Sequence, residues 1–202
     1  MADAKPIGQG RSVLLTFDDG PEPAIALDKI INVLAENQII GEFYVIGSEV
    51  QSNPGRARLI VNRGHTIQNH SWSHIDLAKA SEAKVRQEVQ KTQEIVARVT
   101  GVKPTKLRPP YGNGGWGTKP DPELFRVAHE FSLKVENWDV DTRDWDAPMG
   151  IGPQKIDKVR QQCAHRSARQ LTVLMHVQPT TARDLPGFIA TLKGWGFSFA
   201  RP

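Results

Sequence analysis

The chain has 202 residues, of which 39% are hydrophobic, so it is long enough to bury a sizeable core. No Pro/Ser-rich tract or charge run divides it, and we predict a single domain over residues 1–202. The net charge is +4, but lysines and arginines are interspersed with acids, which argues against a nucleic-acid partner and favours an anionic or neutral polymer. No apolar run approaches the roughly 18 residues of a membrane span, so none is predicted.

The first residues and the single cysteine bear on cellular location. The start MADAKPIGQG lacks the apolar stretch of a signal peptide. We therefore expect either a cytoplasmic protein or a secreted or periplasmic one whose leader was removed. Cys163 has no partner for an internal disulfide, and we interpret it as a small buried helix residue rather than a catalytic thiol.

Short apolar segments alternate with amphipathic ones along the chain. The predicted strands are, in order, 12–17, 42–47, 65–69, 105–109, 133–140, 171–176 and 197–200. The predicted helices are 24–38, 55–64, 82–101, 121–131, 154–166 and 183–196. The long helix has Val85 and Val89 at helical spacing and closes on Gly101, a normal C-cap residue. Seven strands with helices between them predict a parallel α/β sheet, either open or closed into a barrel.

Polar motifs follow five of the predicted strands. They are DDGP from Asp18, NHSWSH at 69–74, RPPYG at 108–112, DVDTRDW at 139–145 and LMH ending at His176. Active-site residues of parallel α/β folds collect at the carboxyl ends of the strands, so we expect all five on one face. Asp18 and Asp19 carry adjacent like charges that repel and do nothing for strand formation. A function should therefore require both.

Two histidines four residues apart indicate a metal site. The spacing of His70 and His74 places both imidazoles on one side of a helical turn, where they can bind one ion. A catalytic Zn²⁺ site needs three protein ligands and an open position, so one aspartate supplies the third ligand and the other acts as general base. Alternatively, DDGP is an Asx-type turn, which explains only one aspartate. The isolated histidines, interpreted as structural or surface residues, are His65, His129 and His165.

The motifs TFDDGP, HSWSH, RPPYG, DTRDW and LMH, in this order and at these separations, resemble the five signature motifs of the polysaccharide deacetylases, carbohydrate esterase family four. The likeness runs from about residue 12 to 176 and so covers nearly the whole chain. It implies a distorted (β/α) barrel with seven strands. It also implies metal-dependent removal of acetyl groups from an N-acetylated sugar polymer or an acetylated xylan.

The resemblance assigns roles position by position. The matched residues are Asp18 as general base, Asp19, His70 and His74 as metal ligands, His176 as general acid, and Tyr111 as the backbone N–H donor to the oxyanion. The chemistry agrees for Tyr111, because Pro109 and Pro110 carry no amide hydrogen and leave it the first free donor of a stiffened loop. The alternative is that RPP is only a rigid turn.

Further residues match positions around the catalytic groups. Arg108 matches an arginine that would hold Asp18 ionised, and Asp144 matches the carboxylate that orients His176 and raises its pKa. Trp145 would wall the pocket for the acetyl methyl group. Each of these three residues also fits an ordinary ion pair or core aromatic.

Two features of the sequence concern the substrate. Many family members have Asp after the acid histidine, whereas this chain has Val177, so we expect the hydrogen bonding around His176 to differ. The Gly-rich segment 112–121 is longer than a minimal connection. It either presents Trp116 to a sugar face or is a surface excursion, and both interpretations remain open.

We therefore predict a metal-dependent hydrolase that removes N-acetyl groups from N-acetylglucosamine-containing oligosaccharides or polysaccharides, such as chitooligosaccharide or peptidoglycan. The ligand set suits Zn²⁺, with Co²⁺ or Ni²⁺ as alternatives. The competing functions are an acetylxylan esterase, an amidohydrolase acting on a small molecule, and a carbohydrate-binding protein with an inactive site. The sequence indicates no oligomeric state.

Overall fold

A parallel sheet flanked by helices forms the centre of the computed structural model, which describes residues 6–202. Residues 1–5, where the segment considered for a leader begins, lie outside the described residues. The strands are β1 (Ser12–Gly20), β2 (Glu42–Val45), β3 (Thr66–Asn69), β4 (Lys106–Leu107), β5 (Gly115–Trp116), β6 (Lys119–Pro120), β7 (Lys134–Val135), β8 (Val140–Asp141), β9 (Gln170–His176) and β10 (Ser198–Phe199). The helices are α1 (Ala24–Glu36), α2 (Gly47–Ser52), α3 (Pro54–Asn62), α4 (Glu82–Thr100), α5 (Pro122–Glu130), α6 (Pro153–His165) and α7 (Pro179–Gly194).

The strand order of the main sheet is β7-β4-β3-β2-β1-β9-β8, and β10 pairs with the start of β1. All of these pairs are parallel. Within residues 6–202, β7 and β8 are opposite edges that do not pair with each other, so the sheet is a half-barrel. The predicted fold class, a distorted (β/α) barrel, is confirmed.

The two faces of the sheet differ in polarity. Along β1, Val13, Leu15 and Phe17 belong to the main apolar core, which also contains the inner sides of α1 and α7. The intervening residues Thr16 and Asp18 point to the other face, as the two-residue period of a strand requires. Near its carboxyl end β1 therefore places the polar side chains of Thr16 and Asp18 on the side of the sheet that the helices do not cover.

The predicted strand over 133–140 is wrong in its extent. The segment forms two short strands, β7 and β8, at opposite edges of the sheet. The amide of Glu136 still bonds to the Leu107 carbonyl beside β4, whereas the amide of Asp139 bonds to the Thr172 carbonyl of β9. The residues between them must therefore cross the open side of the half-barrel, which a continuous strand paired at one edge cannot do.

Smaller differences lie in the helices and in the Gly-rich segment. Helix α2 was not predicted, and α7 begins at Pro179 rather than at 183, because proline is tolerated in a first helical turn. The segment 112–121 contains a two-stranded antiparallel hairpin of β5 and β6. No helix in the part of the chain described here is long and apolar enough to cross a membrane.

Candidate active site

A cavity of about 510 Å³ opens at the carboxyl ends of the strands. Its lining residues are Asp18, Asp19, His70, His74, Tyr111, Trp138, Asp141, Trp145, Leu174, His176, Val177 and Gln178. Each of the five sequence motifs contributes to this wall. The expectation that the motifs meet on one face is therefore confirmed, and all of the predicted site residues except Arg108, Asp144 and Trp116 line the cavity directly.

The two adjacent aspartates point to different partners. Asp18 is buried, lies opposite His176 in the β1–β9 register, and accepts a 2.7 Å hydrogen bond from Nη1 of Arg108. Asp19 has a positive φ of 66°, a left-handed conformation that aspartate tolerates better than most residues. This turn carries its carboxylate towards His70 and His74 instead of back along the strand.

The predicted helical turn over 70–74 is wrong, because these residues form a loop. Ser71 and His74 have positive φ values of 66° and 56°. The loop is fixed by hydrogen bonds from the Ser71 amide to Asn69 Oδ1 at 2.9 Å and from the His74 amide to Ser71 Oγ at 3.0 Å. Buried Glu88 of α4 accepts the next amides, those of Trp72 and Ser73.

The loop nevertheless brings the two imidazoles together, with ring centroids 5.0 Å apart. The side chains of Asp19, His70 and His74 each offer one ligand atom, and these atoms lie within 4.8 Å of one another. Asp19 Oδ1 is 3.4 Å from His70 Nε2 and 3.2 Å from His74 Nε2. The two imidazoles therefore converge as the spacing predicted, but the backbone that brings them together is a loop with left-handed residues and not a helical turn.

The donor set fits a metal ion on two counts. Nδ1 of His70 lies 2.7 Å from the Arg108 carbonyl, which can only accept, so that nitrogen carries the hydrogen and Nε2 presents its lone pair to the site. Asp19 Oδ1 is buried and has no hydrogen-bond partner within residues 6–202. Burial opposes ionisation of Asp19, but His70 and His74 lower the pKa of its carboxyl well below the usual range. An ionised oxygen without a hydrogen-bond donor is suited to bind a cation.

His176 on β9 faces the same cavity and is held by Asp144. Its Nδ1 lies 2.8 Å from Asp144 Oδ1, and its backbone amide donates to Oδ2 at 2.8 Å. Thr181 of α7 also donates its hydroxyl to Oδ2. Burial lowers the pKa of His176, but the bond to Asp144 and the nearby carboxylates of Asp18 and Asp19 outweigh it and raise the pKa to about 9. The imidazole is therefore protonated at neutral pH.

Arg108 is fully buried beneath the cavity floor. Besides Asp18, its Nη1 donates to Thr16 Oγ1 at 2.9 Å, and its other nitrogens donate to the carbonyls of Glu136 and Asn137 at 3.2 Å. The ring of Tyr44 lies 3.9 Å from the guanidinium carbon. A guanidinium held on so many sides fixes the position of the carboxylate that it contacts.

Tyr111 stands in a tight turn at the rim of the cavity. It has a φ of 63°, and its ring packs edge-on against His74 with centroids 4.9 Å apart. The turn is closed by the amide of Gly112, which bonds to the Pro109 carbonyl at 3.0 Å. The Tyr111 amide has no acceptor among the described residues, which leaves an N–H donor beside the cluster of Asp19, His70 and His74.

Comparison with known proteins identifies the family. Residues 5–128, more than half of the chain, match the family model described as polysaccharide deacetylase. The chain belongs to the polysaccharide deacetylase family. It is 34% identical over 191 residues to the peptidoglycan-N-acetylglucosamine deacetylase PgdA of Listeria monocytogenes, an alignment that covers 94% of this chain and 37% of that protein. The chain thus spans little more than a third of the length of this curated relative.

Solved structures with the same fold include active and inactive proteins of the family. A family 4 carbohydrate esterase from Streptomyces lividans, in complex with acetate, matches with a TM-score of 0.78 and 29% identity over 94% of this chain and 92% of that one. BA3943 of Bacillus anthracis, described as a family 4 pseudoenzyme, matches with a TM-score of 0.79 and 25% identity over 94% and 63% of the two chains. Membership of the family and its fold therefore do not by themselves establish catalytic activity.

The two predicted substrate-binding tryptophans have different positions in this member of the polysaccharide deacetylase family. Trp145 is 48% exposed and lines the cavity, and the Arg143 guanidinium carbon lies 5.3 Å from its ring centroid. Trp116 lies outside the cavity lining, in the β5–β6 hairpin, and packs edge-on against Trp138 with centroids 5.1 Å apart. Trp138, rather than Trp116, presents an aromatic wall to the cavity.

Several cavity residues were missed by the sequence reasoning. Trp138 lies inside the strand wrongly predicted over 133–140, which hid the crossing segment that carries it, and Asp141 of β8 lies in the motif at 139–145 but was given no role. Leu174 precedes His176 by two residues on β9 and so faces the same side. That two-residue period was a usable signal for Leu174. Nothing in the local sequence marks Trp138, because its position depends on the long-range crossing.

Proposed function

We propose that this polysaccharide deacetylase, with residues 1–202 as one catalytic domain, removes N-acetyl groups from an N-acetylglucosamine-containing glycan by metal-dependent hydrolysis. One observation carries the proposal. The side chains of Asp19, His70 and His74 converge beside Asp18 in a cavity that also contains His176, whose pKa is raised by its bond to Asp144. A base, a cation site and an acid within one cavity are the parts that amide hydrolysis needs.

Asp19, His70 and His74 would hold the ion, and we propose Zn²⁺, with Co²⁺ or Ni²⁺ also suited to this set of ligands. When bound, such an ion polarises the acetyl carbonyl and lowers the pKa of a water molecule. Three protein ligands facing an open cavity leave room for substrate, as in catalytic rather than structural metal sites.

Asp18 is the proposed general base that takes the proton of the attacking water. Its carboxylate lies beside the ligand cluster, with Oδ2 3.7 Å from His70 Nε2. The 2.7 Å bond from buried Arg108 fixes the position of one carboxylate oxygen, Oδ1, and leaves Oδ2 beside His70. Arg108 thus acts as a positioning residue behind the base.

Tyr111 and Trp145 are proposed to bind the acetyl group. The amide of Tyr111 would donate a hydrogen bond to the oxyanion that develops on the carbonyl oxygen, and its position in a proline-stiffened turn supports preorganisation. Trp145 and Leu174 provide apolar surface for the methyl group in the same cavity. We assign no contact with this group to Trp116.

His176 is the proposed general acid. An amide nitrogen leaves poorly as an anion but readily as a neutral amine, so the reaction needs a protonated group on the leaving side. The ion pair with Asp144 keeps the His176 imidazole protonated at neutral pH and fixes its orientation. Ester substrates need less protonation, so the same residues also support cleavage of an acetyl ester such as that of acetylxylan.

The substrate is inferred to be peptidoglycan or a chitooligosaccharide, with peptidoglycan favoured by the name of the Listeria monocytogenes relative. The Streptomyces lividans enzyme was solved in complex with acetate, which supports the proposal that acetate is the acid released in the reaction. A carbohydrate-binding protein with an inactive site is the alternative, in line with the pseudoenzyme neighbour. The presence of Asp18 and of all three proposed ligands argues against it, because binding alone requires no activated water.

The test is incubation of the Zn²⁺-loaded protein with tetra-N-acetylchitotetraose, digested peptidoglycan and acetylxylan, followed by mass spectrometry. We expect losses of acetyl groups from at least one N-acetylated glycan, with release of acetate. Asp18→Asn is the matched control, because it keeps the proposed ligands and the fold. No loss of acetyl from any N-acetylated glycan under Zn²⁺, Co²⁺ and Ni²⁺, or an equal loss with Asp18→Asn, contradicts the proposal.

A further inference from the structure

A groove runs from the active-site cavity between the β8 edge and helix α6. Two adjoining hollows of about 380 and 820 Å³ form it, and both share Asp141 with the catalytic cavity. The charged or titratable residues lining it are Asp141, Arg143, Asp146, Lys155, Lys158, His165 and Arg166. Cations thus outnumber carboxylates here, whereas the catalytic cavity is lined by aspartates and histidines.

The groove is held in place by hydrogen bonds between its two walls. Gln162 of α6 accepts from the Asp141 amide and donates to the Asp141 carbonyl, both at 2.9 Å. Lys155 at the beginning of α6 donates to the carbonyls of Asp146 and Pro148 at 2.6 and 2.7 Å. Helix α6 is therefore fastened to the open edge of the half-barrel, and the groove has a defined shape.

Two cationic side chains of the groove form no ion pair within the described residues. Arg143 pairs with Asp146 at 2.8 Å, and Lys155 is occupied by carbonyl oxygens. Lys158 and Arg166 line the groove but form no ion pair with any residue in 6–202. A cationic groove that opens into a catalytic cavity offers a ready counterpart to an anionic group on the substrate.

We propose that this groove binds a carboxylate carried by the glycan while an acetylated sugar occupies the catalytic cavity. This inference rests on the proposed function and narrows its substrate, because chitooligosaccharides are uncharged whereas peptidoglycan carries carboxylates. Those carboxylates belong either to the lactyl ether of its muramic acid or to its stem peptides. In both cases the group bound by the guanidinium of Arg166 and the ammonium of Lys158 is a carboxylate.

The experiment compares an anionic substrate with its neutral counterpart. The anionic probe is a tetrasaccharide of alternating N-acetylglucosamine and N-acetylmuramic acid with free lactyl carboxylates, and the neutral probe carries the same carboxylates as methyl amides. A third probe bears stem peptides on the lactyl groups. The ratio of kcat/KM on anionic and neutral probes is measured for the Zn²⁺-loaded parent, Lys158→Gln, Arg166→Gln and the double variant. Arg160→Gln is the matched control, since Arg160 is exposed on α6 outside the groove lining.

We expect the parent to prefer a carboxylate-bearing probe. The ratio should fall about threefold in each single variant and about tenfold in the double variant, as for partly exposed charge pairs, and should stay at the parent value in Arg160→Gln. The preference should also weaken as salt rises from 20 to 500 mM. Preference for the free lactyl probe assigns the carboxylate to muramic acid, and preference restricted to the third probe assigns it to the stem.

A parent that does not distinguish the probes, or a double variant that keeps the parent ratio, overturns the inference. Equal effects of Arg160→Gln and the groove variants also overturn it, because they indicate net charge alone. Calorimetric binding of the same probes repeats the comparison without turnover. If no probe loses acetyl groups, the proposed function fails, but tighter binding of the anionic probe that depends on Lys158 and Arg166 still supports the groove.

Discussion

Replacing Asp144 with asparagine tests the electrostatics of the proposed general acid. Asp144 is fully buried and bonds to both the ring and the backbone amide of His176. Asparagine has nearly the same shape but no charge. Burial by itself lowers the pKa of His176, and Asp144 is the main group that raises it. Removing the charge of Asp144 should therefore lower the pKa of the imidazole. A larger fraction of His176 should then be neutral in the variant than in the parent.

The magnitude follows from the two pKa values. A rise from 6.5 to about 9 corresponds to roughly 3 kcal/mol of preference for the protonated imidazole in the folded protein. Because the folded pKa is the higher one, this stabilisation is complete below pH 6.5 and is lost as pH rises through about 9. In Asp144→Asn we expect the His176 pKa to fall, with only Asp18 and Asp19 left to oppose the effect of burial, and the free energy of unfolding to fall more at pH 6 than at pH 10.

The pKa is measured by NMR titration of the His176 ring in metal-free protein, and the pH dependence of kcat/KM is measured in metal-loaded protein. The alkaline limb of the parent profile should move to lower pH by more than one unit in Asp144→Asn, with kcat on an N-acetyl sugar reduced about 10²-fold or more at pH 8. Melting temperatures at both pH values separate the effect on folding from that on catalysis.

Asp146→Asn is the matched control, because Asp146 lies in the same loop but pairs with exposed Arg143. Its pH profile and His176 titration should equal those of the parent. An unchanged His176 pKa in a folded Asp144→Asn variant would refute the electrostatic reasoning. A lowered pKa without any movement of the alkaline limb would instead remove His176 from the acid role.

Three further predictions concern the ligands, the base and the acid. His70→Ala with His74→Ala should abolish divalent-metal binding while the far-UV circular dichroism stays native; full metal occupancy in the double variant would contradict the ligand assignment. Asp18→Asn should abolish turnover but keep the metal, as judged by metal analysis; loss of the metal would indicate that Asp18 and Asp19 have exchanged roles. His176→Ala should lower kcat on an N-acetyl sugar by about 10²- to 10⁴-fold and much less on nitrophenyl acetate, whose leaving group needs little protonation. Equal losses on both substrates in a folded variant would argue against acid catalysis.

The helical turn predicted over His70 and His74 illustrates how little residue spacing alone says about backbone conformation. His70 and His74 do converge, but through a loop with left-handed residues at Ser71 and His74. The hydrogen bonds that fix this loop come partly from Glu88, which is distant in sequence on α4. Local periodicity carries no information about such a partner, so the sequence predicted the pair and not its backbone.

The split strand at 133–140 has a related cause. Its apolar and β-branched residues satisfy strand propensity, and propensity does not distinguish one strand from two at different edges. The pairing of Glu136 with Leu107 and of Asp139 with Thr172 decides the outcome. These two contacts lie near opposite edges of the half-barrel, and they place Trp138 and Asp141 in the cavity wall.

By itself, the sequence determined the class of fold and the chemical groups of the site. Apolar segments ending in polar motifs identify parallel strands with side chains at their carboxyl ends, because those ends meet at one edge of a parallel sheet. Only the tertiary structure decided which side chains face one another. Three features of the site depend on the packing of segments that are far apart in the chain, which no local sequence pattern specifies. They are the Asp19 oxygen without a hydrogen-bond donor, the four hydrogen-bond partners of Arg108 and the cationic groove beside α6.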